Sequence, residues 1–199
     1  MSLLTHLLGI AAAVALAPAA HAAVAWNEGV SGDLSGQRTS PTFVAVATGS
    51  NQVIGNTGDI GAGTDLDYFR ITVPTGSVLS SIVVMPITAP DSVAFIGIEA
   101  GTQITTTNSA GPLLGWLHYG AFDANTDILP RIGHGGGSIG FTPPLPAGNY
   151  AFWIQDFDAG LSPYGFDLTI SAAPVPEPAS ALLLLAGGAL VAGATRRRR

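Results

Sequence analysis

From Tyr164 to Ser171 every second residue is apolar or aromatic: Tyr164, Phe166, Leu168 and Ile170 alternate with Gly165, Asp167, Thr169 and Ser171. Successive side chains of a β-strand leave opposite faces of a sheet, so a period of two marks a strand with one buried row. Tyr150, Phe152 and Ile154 alternate in the same way with Ala151, Trp153 and Gln155, and Phe69, Ile71 and Val73 with Tyr68, Arg70 and Thr72. Apolar runs at 43–47, 52–55, 78–84, 93–98 and 113–119 are bounded by glycine, proline or asparagine. There is no convincing amphipathic helix and no internal repeat. The chain is therefore expected to be all-β, with about eight short strands in an antiparallel β-sandwich.

Two hydrophobic segments flank that body. Residues 1–22 read as a secretory signal, with an apolar stretch at 7–17, a breaker at Pro18 and the small residues Ala20 and Ala22 around His21 as a cleavage site. Cleavage after Ala22 is the first expectation and cleavage after Ala25 the second. The mature domain would then span 23–174, ample for one core.

At the other end, Val175-Pro176-Glu177-Pro178-Ala179-Ser180 leads into an apolar run at 181–194, then Thr195 and Arg196, Arg197, Arg198 and Arg199. Fourteen helical residues reach about 21 Å against a hydrocarbon core of about 30 Å, so the span is marginal unless 179–195 all join it. Gly187, Gly188 and Gly193 weaken the helix by about 1 kcal/mol each relative to alanine. The arginines stay cytoplasmic, which puts everything before Val175 across the membrane. Proline holds Val175 and Glu177 extended, a form that a protease cleft accepts. A transient anchor and an ordinary tail anchor both fit this physics.

The ordered set of Pro-Glu-Pro motif, short transmembrane helix and terminal arginines resembles the PEP-CTERM sorting signal of Gram-negative bacteria. The resemblance implies an exported protein that leaves through the secretion translocon, is tethered to the inner membrane, and is processed by an exosortase for the cell surface or extracellular space. In it Val175, Pro176, Glu177 and Pro178 would be the sorting motif and Arg196 to Arg199 the retention signal. It also implies, by analogy, a link to exopolysaccharide and biofilm.

Composition narrows the body's chemistry. Lysine and cysteine are absent, and Arg38, Arg70 and Arg131 face twelve acids before Val175, a formal charge of −9. Such a body repels phosphate backbones, so nucleic-acid binding is excluded. Without cysteine there is no disulfide, thiolate nucleophile or cysteine zinc site.

The body has its own resemblance. Asn56-Thr57-Gly58-Asp59-Ile60, Asp65-Leu66-Asp67-Tyr68-Phe69-Arg70-Ile71-Thr72-Val73 and Leu145-Pro146-Ala147-Gly148-Asn149-Tyr150 are similar to motifs of the bacterial pre-peptidase C-terminal domain. That family implies a jelly-roll-like β-sandwich serving as a non-catalytic accessory module. The glycine- and proline-rich stretch at 111–146 departs from it.

Three groups of residues are candidates for chemistry. Asp59, Asp65 and Asp67 cluster on a glycine-rich loop entering a strand and could supply oxygen ligands to calcium; an Asx-turn is the competing reading. Trp116, Tyr119 and Trp153 could present a carbohydrate-stacking face, or be core. Trp153 decides between these, because it is out of phase with Tyr150, Phe152 and Ile154. Gly133-His134-Gly135-Gly136-Gly137-Ser138-Ile139-Gly140 imitates hydrolase motifs, but Phe141-Thr142-Pro143-Pro144 follows where a nucleophile elbow needs a helix. No catalytic residue is expected, and no cofactor beyond the calcium.

Overall fold

The alternating segments pair as their period requires. A computed structural model describes residues 22–59, 61, 63–87, 93–156 and 160–174. Within them lie β1 (Ala23–Asn27), β2 (Thr42–Phe43), β3 (Gly49–Asp59), β4 (Thr64–Val73), β5 (Ser77–Val84), β6 (Val93–Ala100), β7 (Gly115–Gly120), β8 (Gly148–Gln155) and β9 (Gly160–Ala172). Two single-turn helices, α1 (Glu28–Ser31) and α2 (Leu129–Ile132), complete the elements used below.

The strands form one sheet in the order β5-β9-β3-β4-β8-β6-β7, antiparallel throughout that path. Strands β3 and β4 share only the rungs Gly58 to Asp65 and Asp59 to Thr64, and then diverge. The edges this exposes are taken by the N-terminal segment: β1 lies parallel on β3, and β2 parallel on β4. The split lets the sheet curl until its halves meet. Tyr119 of β7 packs against Phe166 of β9 with ring centroids 5.0 Å apart, and Phe69 stacks on Phe152 at 4.5 Å. Phe69, Ile71, Phe152, Ile154, Phe166, Leu168 and Ile170, the inward rows predicted from period two, are all buried in this core. Each such side chain contributes roughly 1.5–3 kcal/mol through burial.

The end of the curl is closed by α2, whose Leu129 and Ile132 are buried. A Cβ on Gly115 would come within 2.1 Å of the Ile132 carbonyl oxygen, so only glycine lets β7 approach this turn.

The fold differs from expectation in three places. A single curled sheet stands where two separate sheets were expected. The run at 43–47 contributes only Phe43 to a strand, because after the Val44 N–H donates to the Arg70 carbonyl the chain leaves β4. Strand β1 was not anticipated, since its first three residues read as a secondary cleavage site. Ala20 of the signal segment, the sorting motif, the expected transmembrane helix and the arginine tail lie outside the described residues. Among the described residues no helix is long and apolar enough to cross a membrane.

Candidate functional site

The outer face of β4, β8, β6 and β7 carries the side chains that alternate with the core. Strand register sets them in two rows: Tyr68, Trp153, Gly97 and Trp116 in one, and Leu66, Gln155, Phe95 and His118 in the next. A strand face this aromatic needs a cover, and residues 101–113 supply one. Arg38 pins it, its Nη1 donating to the carbonyls of Ile104 at 2.9 Å and Thr105 at 3.1 Å. Glu99 takes the Thr105 N–H and hydroxyl at 2.9 and 2.6 Å. Ile104 and Leu113 thereby form a second, smaller cluster with Tyr68, Ala151 and Trp153.

The cover is incomplete. Beside it opens a cavity of about 410 Å³ lined by Phe95, Trp116, His118, Trp153 and Gln155 from the sheet, by Leu113, and by residues 107–110 of the loop. Phe95 sits at the centre of the aromatic lining, 5.0 Å from Trp153 edge-on and 6.0 Å from Trp116 in a stacked pose. Between the two tryptophans stands Gly97, and the Phe95 ring and Leu113 lie over it so closely that a Cβ there would come within 3.0 Å of the ring. Trp116 donates from Nε1 to the Gly136 carbonyl at 2.9 Å, which fixes its ring. Trp153 is 8% exposed, and its buried Nε1–H has no hydrogen-bond partner.

Of the predicted stacking residues, Trp116 and Trp153 line this cavity, but Trp153 is buried in the cluster with Tyr68, Ile104, Leu113 and Ala151, which is the core outcome for that ring and leaves Trp116 as the half-exposed one; Tyr119 does not reach the cavity. Three positions from Trp116 on the same strand, Tyr119 faces the other way and is fully buried in the core against Phe166. Burial pushes its hydroxyl well above the usual tyrosine range. Thr107, Asn108, Ser109, His118 and Phe95 were not anticipated. The pairing of Phe95 with His118 across β6 and β7 is the signal for part of that set, and it requires the register.

A second polar site lies where β3 and β4 part. Asp67 points inward from β4 and is 0% exposed; its Oδ2 accepts the Tyr164 hydroxyl at 2.7 Å, and its Oδ1 has no partner. Burial, with the negative charges of Glu28, Asp65 and Asp33 around it, pushes its carboxyl up to about 9. Glu28, on α1, receives the Leu34 N–H at 3.1 Å and the Asn56 N–H at 2.8 Å. Carboxylate oxygens of Glu28, Asp33 and Asp67 lie within 4.8 Å of one another.

The expected calcium residues Asp59, Asp65 and Asp67 are not brought together as one set. Asp67 is in the cluster and Asp65 lines the adjoining hollow, but Asp59 is exposed and accepts the Gly61 N–H at 2.8 Å in an Asx-turn. Glu28 and Asp33 lie 39 and 34 residues before Asp67, a separation that no local spacing could connect.

The hydrolase-like loop holds Ser138 with its hydroxyl donating to the Gly135 carbonyl at 2.6 Å, while His134 is exposed. No strand or helix includes residues 133–147.

Comparison with known proteins bears on the tail. Residues 174–199 match the family model described as the PEP-CTERM protein-sorting motif. The chain carries an exosortase sorting signal. The match supports a PEP-CTERM protein, one that is exported and processed by an exosortase. It covers only the terminal segment, and no curated protein and no solved structure matches the chain.

Proposed function

We propose that this PEP-CTERM protein is a non-enzymatic surface or matrix component that binds a neutral polysaccharide through the aromatic cavity on the outer face of β6, β7 and β8. The observation that carries this reading is the cavity's lining: Phe95, Trp116 and Trp153 around a hollow whose rim bears Thr107, Asn108, Ser109, His118 and Gln155. Flat rings match the C–H faces of a pyranose, and the rim offers donors and acceptors to its hydroxyls. Among the described residues no lysine or arginine lines the cavity, which favours a neutral sugar over a uronic acid.

Several features support the rest of the reading. The engaged Ser138 hydroxyl and the similarity of the body to an accessory module favour binding over catalysis. Exopolysaccharide is the polymer that the sorting signal's analogy supplies, and cleavage at Pro176-Glu177-Pro178 would free the acidic body from its four terminal arginines.

Affinity electrophoresis of the full chain tests the reading, with a neutral glucan and a uronic-acid polymer in parallel gels. Retardation by the neutral polymer alone is expected. Trp116→Ala should weaken it about tenfold, the loss of a stacking contact worth about 1–1.5 kcal/mol. Equal retardation of the variant, or none of the wild type, would leave the protein as a passive matrix component. In material from the native host, a mature mass that still includes Arg199 would refute processing.

A further inference from the structure

The two ends of the curled sheet differ in charge. At one end β4 turns into β5 through Pro74-Thr75-Gly76, β8 begins after Pro146-Ala147, β3 begins after Ala47-Thr48, and β6 runs out into Gly101-Thr102-Gln103. The pairings Val73 to Gly148, Gly49 to Ile170, Ser77 to Ala172 and Ala100 to Tyr150 bring these turns to the same end. None of the turns contains a charged residue. The opposite end carries Glu28, Asp33, Asp59, Asp65, Asp123 and Asp156 around its strand ends. Two acids stand nearer the uncharged end among the described residues, and both are engaged: Glu99 is buried against Thr105, and Asp167 accepts the Ser50 hydroxyl.

The chain leaves the fold at the uncharged end. Strand β9 finishes at Ala172, and the Ala173 N–H donates to the Gly76 carbonyl at 2.8 Å. Residues 175–180 alone then separate Pro174 from the apolar run that begins at Ala181. Fully extended, such a stretch reaches at most about 20 Å. Strand β4, with its 10 residues, measures about 33 Å from one end of the body to the other. With 181–194 in a bilayer, the tether is too short for the body to turn over.

We propose that the uncharged end is a membrane-facing surface, held against the headgroups of an anionic bilayer while the tail is embedded. This rests on the apolar run at 181–194 entering that bilayer, as the reading of the tail as a sorting signal requires. Charges are screened over about 8 Å at physiological ionic strength, so acids at the far end feel almost nothing of the lipid surface. The same acids at the near end would be repelled by it. Pro74, Thr75, Pro146 and Ala147 are exposed and bring no charge to desolvate. In this pose the cavity of Phe95 and Trp116 opens sideways on the outer face of the sheet, clear of the bilayer.

The chain has no cysteine, so Thr75→Cys and Thr64→Cys each place a single fluorophore, on exposed residues at the uncharged and the acidic end. The full chain is reconstituted into vesicles of phosphatidylethanolamine and phosphatidylglycerol that contain a headgroup-nitroxide lipid, and floated. Quenching should be several-fold stronger at residue 75 than at residue 64, and unchanged when phosphatidylcholine replaces the phosphatidylglycerol. An insert of about ten glycine and serine residues after Pro174 adds about 33 Å of reach and should remove most of the contrast. Equal quenching at the two sites in floated protein, quenching at residue 75 that falls as phosphatidylglycerol is added, or a contrast unmoved by the insert would overturn the assignment. Protein that does not float would instead refute the anchored tail.

Discussion

Asp67 and Tyr68 are neighbours on β4 and finish in opposite chemical surroundings. Asp67 turns inward to the acidic corner beneath the N-terminal segment, hydrogen-bonded to Tyr164. Tyr68 turns outward to the aromatic layer, its ring 6.0 Å from that of Trp153. Pleating alone accounts for the difference in direction. The difference in surroundings comes from what covers each side: strands and their apolar rows within, a loop pinned by Arg38 without. The inner face thus holds the fold together, while the outer face, only partly covered, retains a cavity. One strand serves both without its two sets of side chains competing for space.

Residues 152 and 153 on β8 break this comparison most sharply. Phe152 is fully buried and stacks on Phe69 at 4.5 Å. Phe152→Ala should cost about 3–5 kcal/mol, measured by urea unfolding, which is a large part of a domain's margin. Trp153→Ala should destabilise less, since its ring borders a cavity, yet should abolish polysaccharide retention in the fraction that remains folded. If the two variants lost equal stability, the outer layer would have to be counted as a second core.

The acidic corner responds to pH in a way that the aromatic face does not. Around Asp67 stand Glu28, Asp33, Asp65 and the Tyr164 hydroxyl, and its carboxyl keeps its proton up to about 9 in the fold against 3.8 for a free aspartate. Glu28 and Asp65 are raised in the same direction by burial. A raised carboxyl stabilises the fold fully at pH below about 4, and that contribution drains away as pH rises towards 9. The protein should accordingly lose about 1 kcal/mol per pH unit between roughly pH 5 and 8 in denaturant titrations. Stability that rose with pH would show that Asp67 is ionised in the fold.

How far the sequence speaks depends on which residues are close along the chain. The inward rows of β4, β8 and β9 follow from local alternation, and so did the statement that Trp153 must face either solvent or a second layer. The layer that covers it, with Ile104, Leu113 and Arg38, arises from contacts over 66 residues and has no local pattern. The same holds for Glu28 and Asp33, which reach Asp67 because β3 and β4 separate after two rungs. Tyr119 could have been removed from the stacking set by parity, since an odd separation from Trp116 on one strand means opposite faces. Gly97 stands between the two tryptophans and leaves room for the Phe95 ring and Leu113 over it, which only the register of β7, β6 and β8 reveals.

The smallest effect is expected at Phe43, and it separates aromatic exposure from aromatic arrangement. Phe43 is 48% exposed and carries the Arg70 guanidinium 4.8 Å from its ring centroid. Arg70 alternates with Phe69 and Ile71, so this pair lies on the outward side of β4, as Tyr68 does. It lacks what the cavity has: a second ring and a polar rim. An exposed cation–π pair contributes about 0.5–1 kcal/mol, so Phe43→Ala should lower stability by no more than that in urea unfolding. Retention on neutral glucan should not change. A loss of retention matching that of Trp116→Ala would move the binding surface from the cavity to the open outward side of β4. Unchanged retention assigns it to the place where Phe95, Trp116 and Trp153 converge, since exposed aromatic area is then present in both variants and only its arrangement differs.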